Sequence, residues 1–81
     1  MQTILVLGAG RSSSALITYL LQQATIHSWK IVVGDVSEGA ARERIGGSTR
    51  GQAVSFDINH EENSRTVIQG ADVVVSLLPA H

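Results

Sequence analysis

Thr3-Ile4-Leu5-Val6-Leu7-Gly8-Ala9-Gly10-Arg11-Ser12-Ser13 decides the fold of this chain. Its first five residues are continuously apolar apart from Thr3, as in a strand covered on both faces. A glycine turn and a helix start follow. The turn spells G-x-G-x-x-S, one small side chain away from the G-x-G-x-x-G of strand–turn–helix units that hold a pyrophosphate. Each position has a job. Gly8 lets the chain leave the strand where a Cβ would obstruct it, and Gly10 clears the approach of phosphate to backbone. Ser13 is small enough for the third position, which packs helix on strand. Ser12, Ser13 and Ser14 can cap the helix and offer hydroxyls. The turn thus aims backbone N–H groups and the positive end of a helix dipole at an anion.

A second signal lies on the next predicted strand. Trp29-Lys30-Ile31-Val32-Val33-Gly34-Asp35 is β-rich and ends in an acid. Asp35 follows the glycine turn by about 20 residues, the spacing at which a carboxylate binds the adenosine ribose hydroxyls. A carboxylate there repels a 2′-phosphate, which favours NAD, with NADP as the alternative. The plainer role for Asp35 is to cap the turn that follows. Arg11 has three roles open to it: beside the pyrophosphate, offsetting a 2′-phosphate, or solvated.

From these anchors the rest of the chain falls into alternating elements. Strands are expected over Thr3–Leu7, Lys30–Gly34, Ala53–Phe56 and Asp72–Leu78. Helices are expected over Ser12–Ala24, from a Ser37 cap to Ile45, and from Asn59 to about Gly70. Asn59 with Glu62 has capping-box spacing, and Gly46-Gly47-Ser48-Thr49 reads as a turn. On the first helix, Ala15, Leu16, Tyr19 and Leu20 share an apolar face that Ile17, Leu21 and Ala24 widen. The first, second and fourth strands read as covered on both faces. This β-α-β-α-β-α-β order predicts an α/β, Rossmann-like parallel sheet with helices on both faces and strand order 3-2-1-4. A full dinucleotide fold needs two more strands. Residues 1–81 are therefore expected to be the first, dinucleotide-binding segment of a longer protein, without its substrate domain.

Composition removes several function classes. The chain has 81 residues, a formal net charge of −1 and no cysteine. There is no basic excess to suit nucleic acid or an anionic membrane, and no thiol for disulfides, thiolate zinc or nucleophilic catalysis. No apolar run approaches the ~18 residues of a membrane span, and the glycine turn interrupts anything like a signal peptide. A cytoplasmic location is the default expectation.

The remaining candidates sit at predicted strand ends. Asp57 and Ile58 follow the third strand. There a carboxylate can accept from an adenine amino group with an apolar neighbour against the ring, or it can stabilise the next helix start. Leu77, Leu78 and Pro79 end the fourth strand on the ligand-binding edge of such sheets, along a ribose or as a plain core strand and turn. His27, His60 and His81 lack metal-ligand spacing, and Ser12–Ser14 lack a G-x-S-x-G elbow. Tyr19 and Trp29 read as core residues. No catalytic group and no metal site is expected here.

Gly8-Ala9-Gly10-Arg11-Ser12-Ser13-Ser14, Trp29 to Asp35, Phe56-Asp57-Ile58 and Ala71-Asp72-Val73-Val74-Val75-Ser76-Leu77-Leu78-Pro79-Ala80-His81 together resemble the N-terminal segment of saccharopine dehydrogenases. The Val-Ser-Leu-Leu-Pro ending is the most specific part. The resemblance implies a two-domain oxidoreductase of lysine metabolism that passes a hydride between the amine carbon of saccharopine and NAD or NADP. It implies that Gly8, Gly10, Arg11, Ser12 and Ser13 hold the pyrophosphate and Asp35 the adenosine ribose. Asp57 and Ile58 would meet the adenine, and Leu77, Leu78 and Pro79 the nicotinamide ribose. Its partners would be the dinucleotide and a small amino-acid-derived substrate, with a homodimer left open and no activity expected of the segment alone. The alternative is an NAD-sensing regulatory domain of a potassium-uptake system, which shares the apolar strand, the G-x-G turn and the acid.

Overall fold

The computed structural model describes residues 2–8, 14–57 and 61–76. Seven elements follow one another as β1 (Thr3–Leu7), α1 (Ser14–His27), β2 (Lys30–Asp35), α2 (Glu38–Ile45), β3 (Gly51–Ser55), α3 (Glu61–Gln69) and β4 (Val73–Ser76). All strand pairs are parallel and the order is β3-β2-β1-β4, as the alternating pattern predicts. The Asn59 cap and Leu77 and Leu78 fall outside the described residues.

Parallel strands alternate their side chains between two faces, and both faces of β1 are buried. Ile4, Val6, Ile31 and Val33 point to one face, where Ile17, Leu21 and Ala24 of α1 and Ala41 and Ile45 of α2 cover them. Leu5 and Leu7 point to the other, with Phe56, and Val67 and Ala71 at α3 pack there. The chain therefore moves outward from β1 to β3 under α1 and α2, then returns across the opposite face to β4. That reversal puts a switch point between β1 and β4 at their carboxyl ends, where open α/β sheets bind ligands.

Three expectations need correction. The buried stripe of α1 is Ile17, Leu21 and Ala24, spaced four and three residues apart, whereas Tyr19 is 57% exposed. A helix lying on a sheet presents one side to it, and Tyr19 falls on the far side. Second, β3 starts at Gly51, two residues early. A Cβ there would stand 2.5 Å from Ile45 Cγ2 and 3.0 Å from Leu21 Cδ2, so neighbouring side chains already fill its place. Third, β4 is not covered on both faces: Val73 and Val74 are 45% and 42% exposed. Among the described residues β4 pairs only with β1, so its apolar sequence lies at a sheet edge.

Local chemistry holds the ends together. Asp72 clamps β1 to β4: its Oδ2 accepts from Thr3 N at 2.7 Å, and its own N donates to Thr3 O at 2.8 Å. Ser37 caps α2, its Oγ accepting from Ala40 N at 3.2 Å, as the sequence predicts. No helix among the described residues is long and apolar enough to cross a membrane.

Candidate dinucleotide site

The site is built where β1 and β2 end. Leu7 lies level with Gly34 and with Ser76. One residue on, Gly8 N donates to Gly34 O at 2.8 Å, extending the β1–β2 ladder by a rung. Gly8 is buried and has φ +103°. An L side chain rarely adopts that conformation, so the exit from β1 requires glycine, as the motif demands. The chain leaves the sheet here and enters α1 six residues later, at Ser14.

The start of α1 suits an anion. The first N–H groups of any helix lack intrahelical partners, and their dipole end is positive. No acidic residue lies in the first turn of α1. The neighbouring helix is the reverse case: the first turn of α2 holds Glu38 and is capped by Ser37. The two helix starts are therefore electrostatically distinct, with an acid in the first turn of α2 and none in that of α1.

Asp35 ends β2 on the same edge, half-buried and adjacent in register to Gly8, about 4.8 Å away by the spacing of neighbouring strands. Its Oδ1 accepts from Ser37 N at 2.9 Å. The turn-capping role is thus real, and it also orients the carboxylate at the β2–α2 corner. Asp57 lies two residues beyond β3 on that edge, half-buried, just after the buried Phe56, whose N donates to Asp35 O at 2.8 Å. Gly8, Asp35 and Asp57 are therefore brought to one edge of the sheet. Gly10, Arg11, Ser12, Ser13, Ile58, Leu77, Leu78 and Pro79 lie outside the described residues.

Two features of this edge escaped the sequence analysis. Val36, directly after Asp35, is 72% exposed on this rim. An aliphatic residue just past a strand-ending acid is the signal that could have marked it. Gly34 is the other: a Cβ there would meet Phe56 Cβ at 3.1 Å and Leu7 Cδ2 at 3.3 Å. Its absence lets Phe56 cross beneath the ends of β1 and β2, and no local sequence pattern announces that. The histidine and tryptophan candidates belong elsewhere. His27 closes α1 and stacks on Trp29, with centroids 4.7 Å apart and planes at 21°, at the opposite end of the sheet. Among the described residues no group of three or more His, Asp or Glu side chains could hold a metal.

A dinucleotide fits what is built here. The positive-φ glycine, the helix start without an acid and the oriented strand-end carboxylate are the features a pyrophosphate and a ribose require. Comparison with known proteins agrees. The chain superposes on the apo histidine-tagged saccharopine dehydrogenase (L-Glu forming) from Saccharomyces cerevisiae with a TM-score of 0.84 at 24% identity. That match covers 98% of this chain and 17% of the yeast protein, and establishes the fold. No match is found among curated protein sequences. Residues 4–81 match the family described as the saccharopine dehydrogenase NADP binding domain, and the chain belongs to that family.

Proposed function

We propose that this chain is the adenosine-binding side of the nicotinamide dinucleotide site in a saccharopine dehydrogenase-like oxidoreductase of lysine metabolism, and that it prefers NAD. The observation that carries this is the meeting of Gly8, Asp35 and the start of α1 on one sheet edge. Gly8 and Gly10 let backbone N–H groups reach the pyrophosphate, with Arg11, Ser12 and Ser13 around it. Asp35 accepts from the adenosine ribose hydroxyls, for which a carboxylate offers about four lone-pair directions. Val36 and Ile58 give the adenine an apolar surface, and Asp57 accepts from its amino group. Leu77, Leu78 and Pro79 run beside the nicotinamide ribose. The bound nicotinamide supplies the hydride acceptor for oxidation of a secondary amine.

The preference for NAD rests on charge. The family description names NADP, yet the ribose corner of this chain is acidic. A 2′-phosphate would meet Asp35 and, on the first turn of α2, Glu38. The cation nearest in sequence to Glu38 on that helix, Arg42, pairs with it at 3.6 Å, a weak exposed pair. Calorimetric titration of the chain with NAD and NADP tests this. NAD is expected to bind at least tenfold tighter, with the gap closing in Asp35→Ala. Tighter binding of NADP to the unaltered chain would reverse the assignment. Family membership favours an enzyme over the potassium-uptake sensor. Saccharopine-dependent reduction of NAD by the protein carrying this segment is the corresponding assay.

A further inference from the structure

Tyr19 and Ile26 are 57% and 71% exposed, and both stand on α1. At 3.6 residues per turn, Ala15, Tyr19, Gln22 and Ile26 line up along one stripe of that helix. All four are exposed. The stripe lies directly opposite Ile17, Leu21 and Ala24, which are buried against the sheet. It therefore looks outward from the molecule.

Its lack of charge sets this face apart. The solvent side of a surface helix ordinarily carries charged residues. On α2 these are Glu38, Arg42 and Glu43, and on α3 Glu62 and Arg65, all of them exposed. At 14 residues α1 is the longest described helix, yet it contains no Asp, Glu, Lys or Arg. Thr18 and Thr25, exposed beside the stripe, are neutral as well. A patch depleted of charge and centred on a tyrosine and an aliphatic side chain has the composition of a protein–protein interface. Such patches are bordered by a polar rim, and α2, which packs alongside α1, supplies one in Glu38, Arg42 and Glu43.

The spacing of the stripe identifies what covers it. From Ala15 to Ile26 the steps are four, three and four residues, the alternation of a helix–helix seam. That series reads the same from either end. An antiparallel α1 from a second copy, turned about a two-fold axis between residues 20 and 21, therefore lays the stripe on itself. Ala15 of one copy meets Ile26 of the other, small against large, and Tyr19 meets Gln22, whose amide can pair with the phenol hydroxyl. Antiparallel helix dipoles attract, and no like charges are opposed. We propose that the outer stripe of α1 is a contact between two copies of this chain, closed about that two-fold axis. Nothing in this contact depends on the dinucleotide assignment.

A single helix pair buries less than about 1,200 Å² in all, the low end of specific interfaces, so dimers should appear over about 1–100 μM in sedimentation equilibrium. Tyr19→Glu and Ile26→Glu should each weaken association by about tenfold or more while circular dichroism stays unchanged. Val74→Lys, on the exposed edge of β4, should leave it unaltered. The register can be read by cross-linking, because the chain has no cysteine of its own. Chains carrying Ala15→Cys, mixed with chains carrying Ile26→Cys and oxidised by air with copper phenanthroline, should form disulfide-linked dimers. Either variant alone should not: like positions lie about 16 Å apart along the helix pair, and a disulfide needs Cα atoms within about 7 Å. A monomer at every concentration would overturn the proposal. So would association that survives Tyr19→Glu and is lost in Val74→Lys, or a mixture that cross-links no better than each variant with itself.

Discussion

Replacing Gly8 by alanine should injure stability and binding together, and the two effects can be separated. Gly8 holds φ +103° in a buried position, and its N–H makes the last rung between β1 and β2. Holding an alanine in such a region costs about 1–3 kcal/mol. For a domain of this size each kcal/mol moves the melting temperature by about 4–8 °C. A fall of roughly 4–24 °C is expected, read by thermal denaturation. If the turn relaxes instead, the rung and the approach to the pyrophosphate are displaced. Losing one backbone hydrogen bond to a charged phosphate costs about 1.5–3 kcal/mol, or roughly ten- to hundredfold in dinucleotide affinity.

Gly46 supplies the control. It has φ +63° at the end of α2, with nothing within 4 Å of the place a Cβ would take, so its alanine variant bears the backbone strain alone. Gly46→Ala should lower the melting temperature by a similar amount and leave dinucleotide affinity, measured by calorimetry well below melting, unchanged. Equal affinity losses in both variants would mean that binding fails through general destabilisation. A Gly8→Ala protein with parental melting temperature and affinity would refute the role given to the turn.

Three further outcomes follow from the packing. Ile17→Ala should cost about 2–5 kcal/mol in denaturant unfolding, because Ile17 is fully buried, while Tyr19→Ala on the same helix should stay within about 0.5 kcal/mol. Gly51→Ala should destabilise by about 1–2 kcal/mol: an overpacking cost of about 1–3 kcal/mol against Ile45 and Leu21, offset by about 0.4–1 kcal/mol from the stiffer unfolded chain. In an Ile45→Ala background that penalty should shrink, a coupling measurable as a double-mutant cycle. Asp72→Ala should lose about 1 kcal/mol with its bond to Thr3 N, and Asp72→Asn, which keeps an acceptor, should recover most of it in thermal melts.

What the sequence made legible was whatever local physics decides. Period and composition gave the parallel order β3-β2-β1-β4, because apolar runs alternating with helices leave few arrangements open. The Ser37 cap and the Gly8 turn were legible because their side chains, or lack of one, act on their own backbone. Contacts between elements were not. Tyr19 and Ile17 are both apolar and both helical, and only the placement of α1 on Ile4, Val6, Ile31 and Val33 chooses between them. Gly51 fell outside the expected third strand, and only the structure shows the side chain of Ile45, six residues earlier, in the place of its Cβ. Asp35 carried two readings, turn cap and ribose acceptor, and the bond from Ser37 N establishes the first, while the second stands as the proposed role.

The direction of the elements explains why the site lies where it does. In a parallel sheet every connecting helix runs back against its strands, so the helix starts gather at the carboxyl edge and the helix ends at the amino edge. The carboxyl edge is thereby positive in its backbone dipoles before any side chain is chosen. On α2 that potential is met internally by Ser37 and Glu38, whereas on α1 no acid answers it. An anion is drawn to the α1 side of the edge and repelled from the α2 side, and a molecule with phosphate at one point and neutral hydroxyls about one strand further on satisfies both. A 2′-phosphate would set a second negative charge against Asp35 and Glu38. On the proposed reading the same two helix starts also bear on which dinucleotide binds, and exchanging Glu38 for lysine should move the balance toward NADP in calorimetric titrations without touching the pyrophosphate turn.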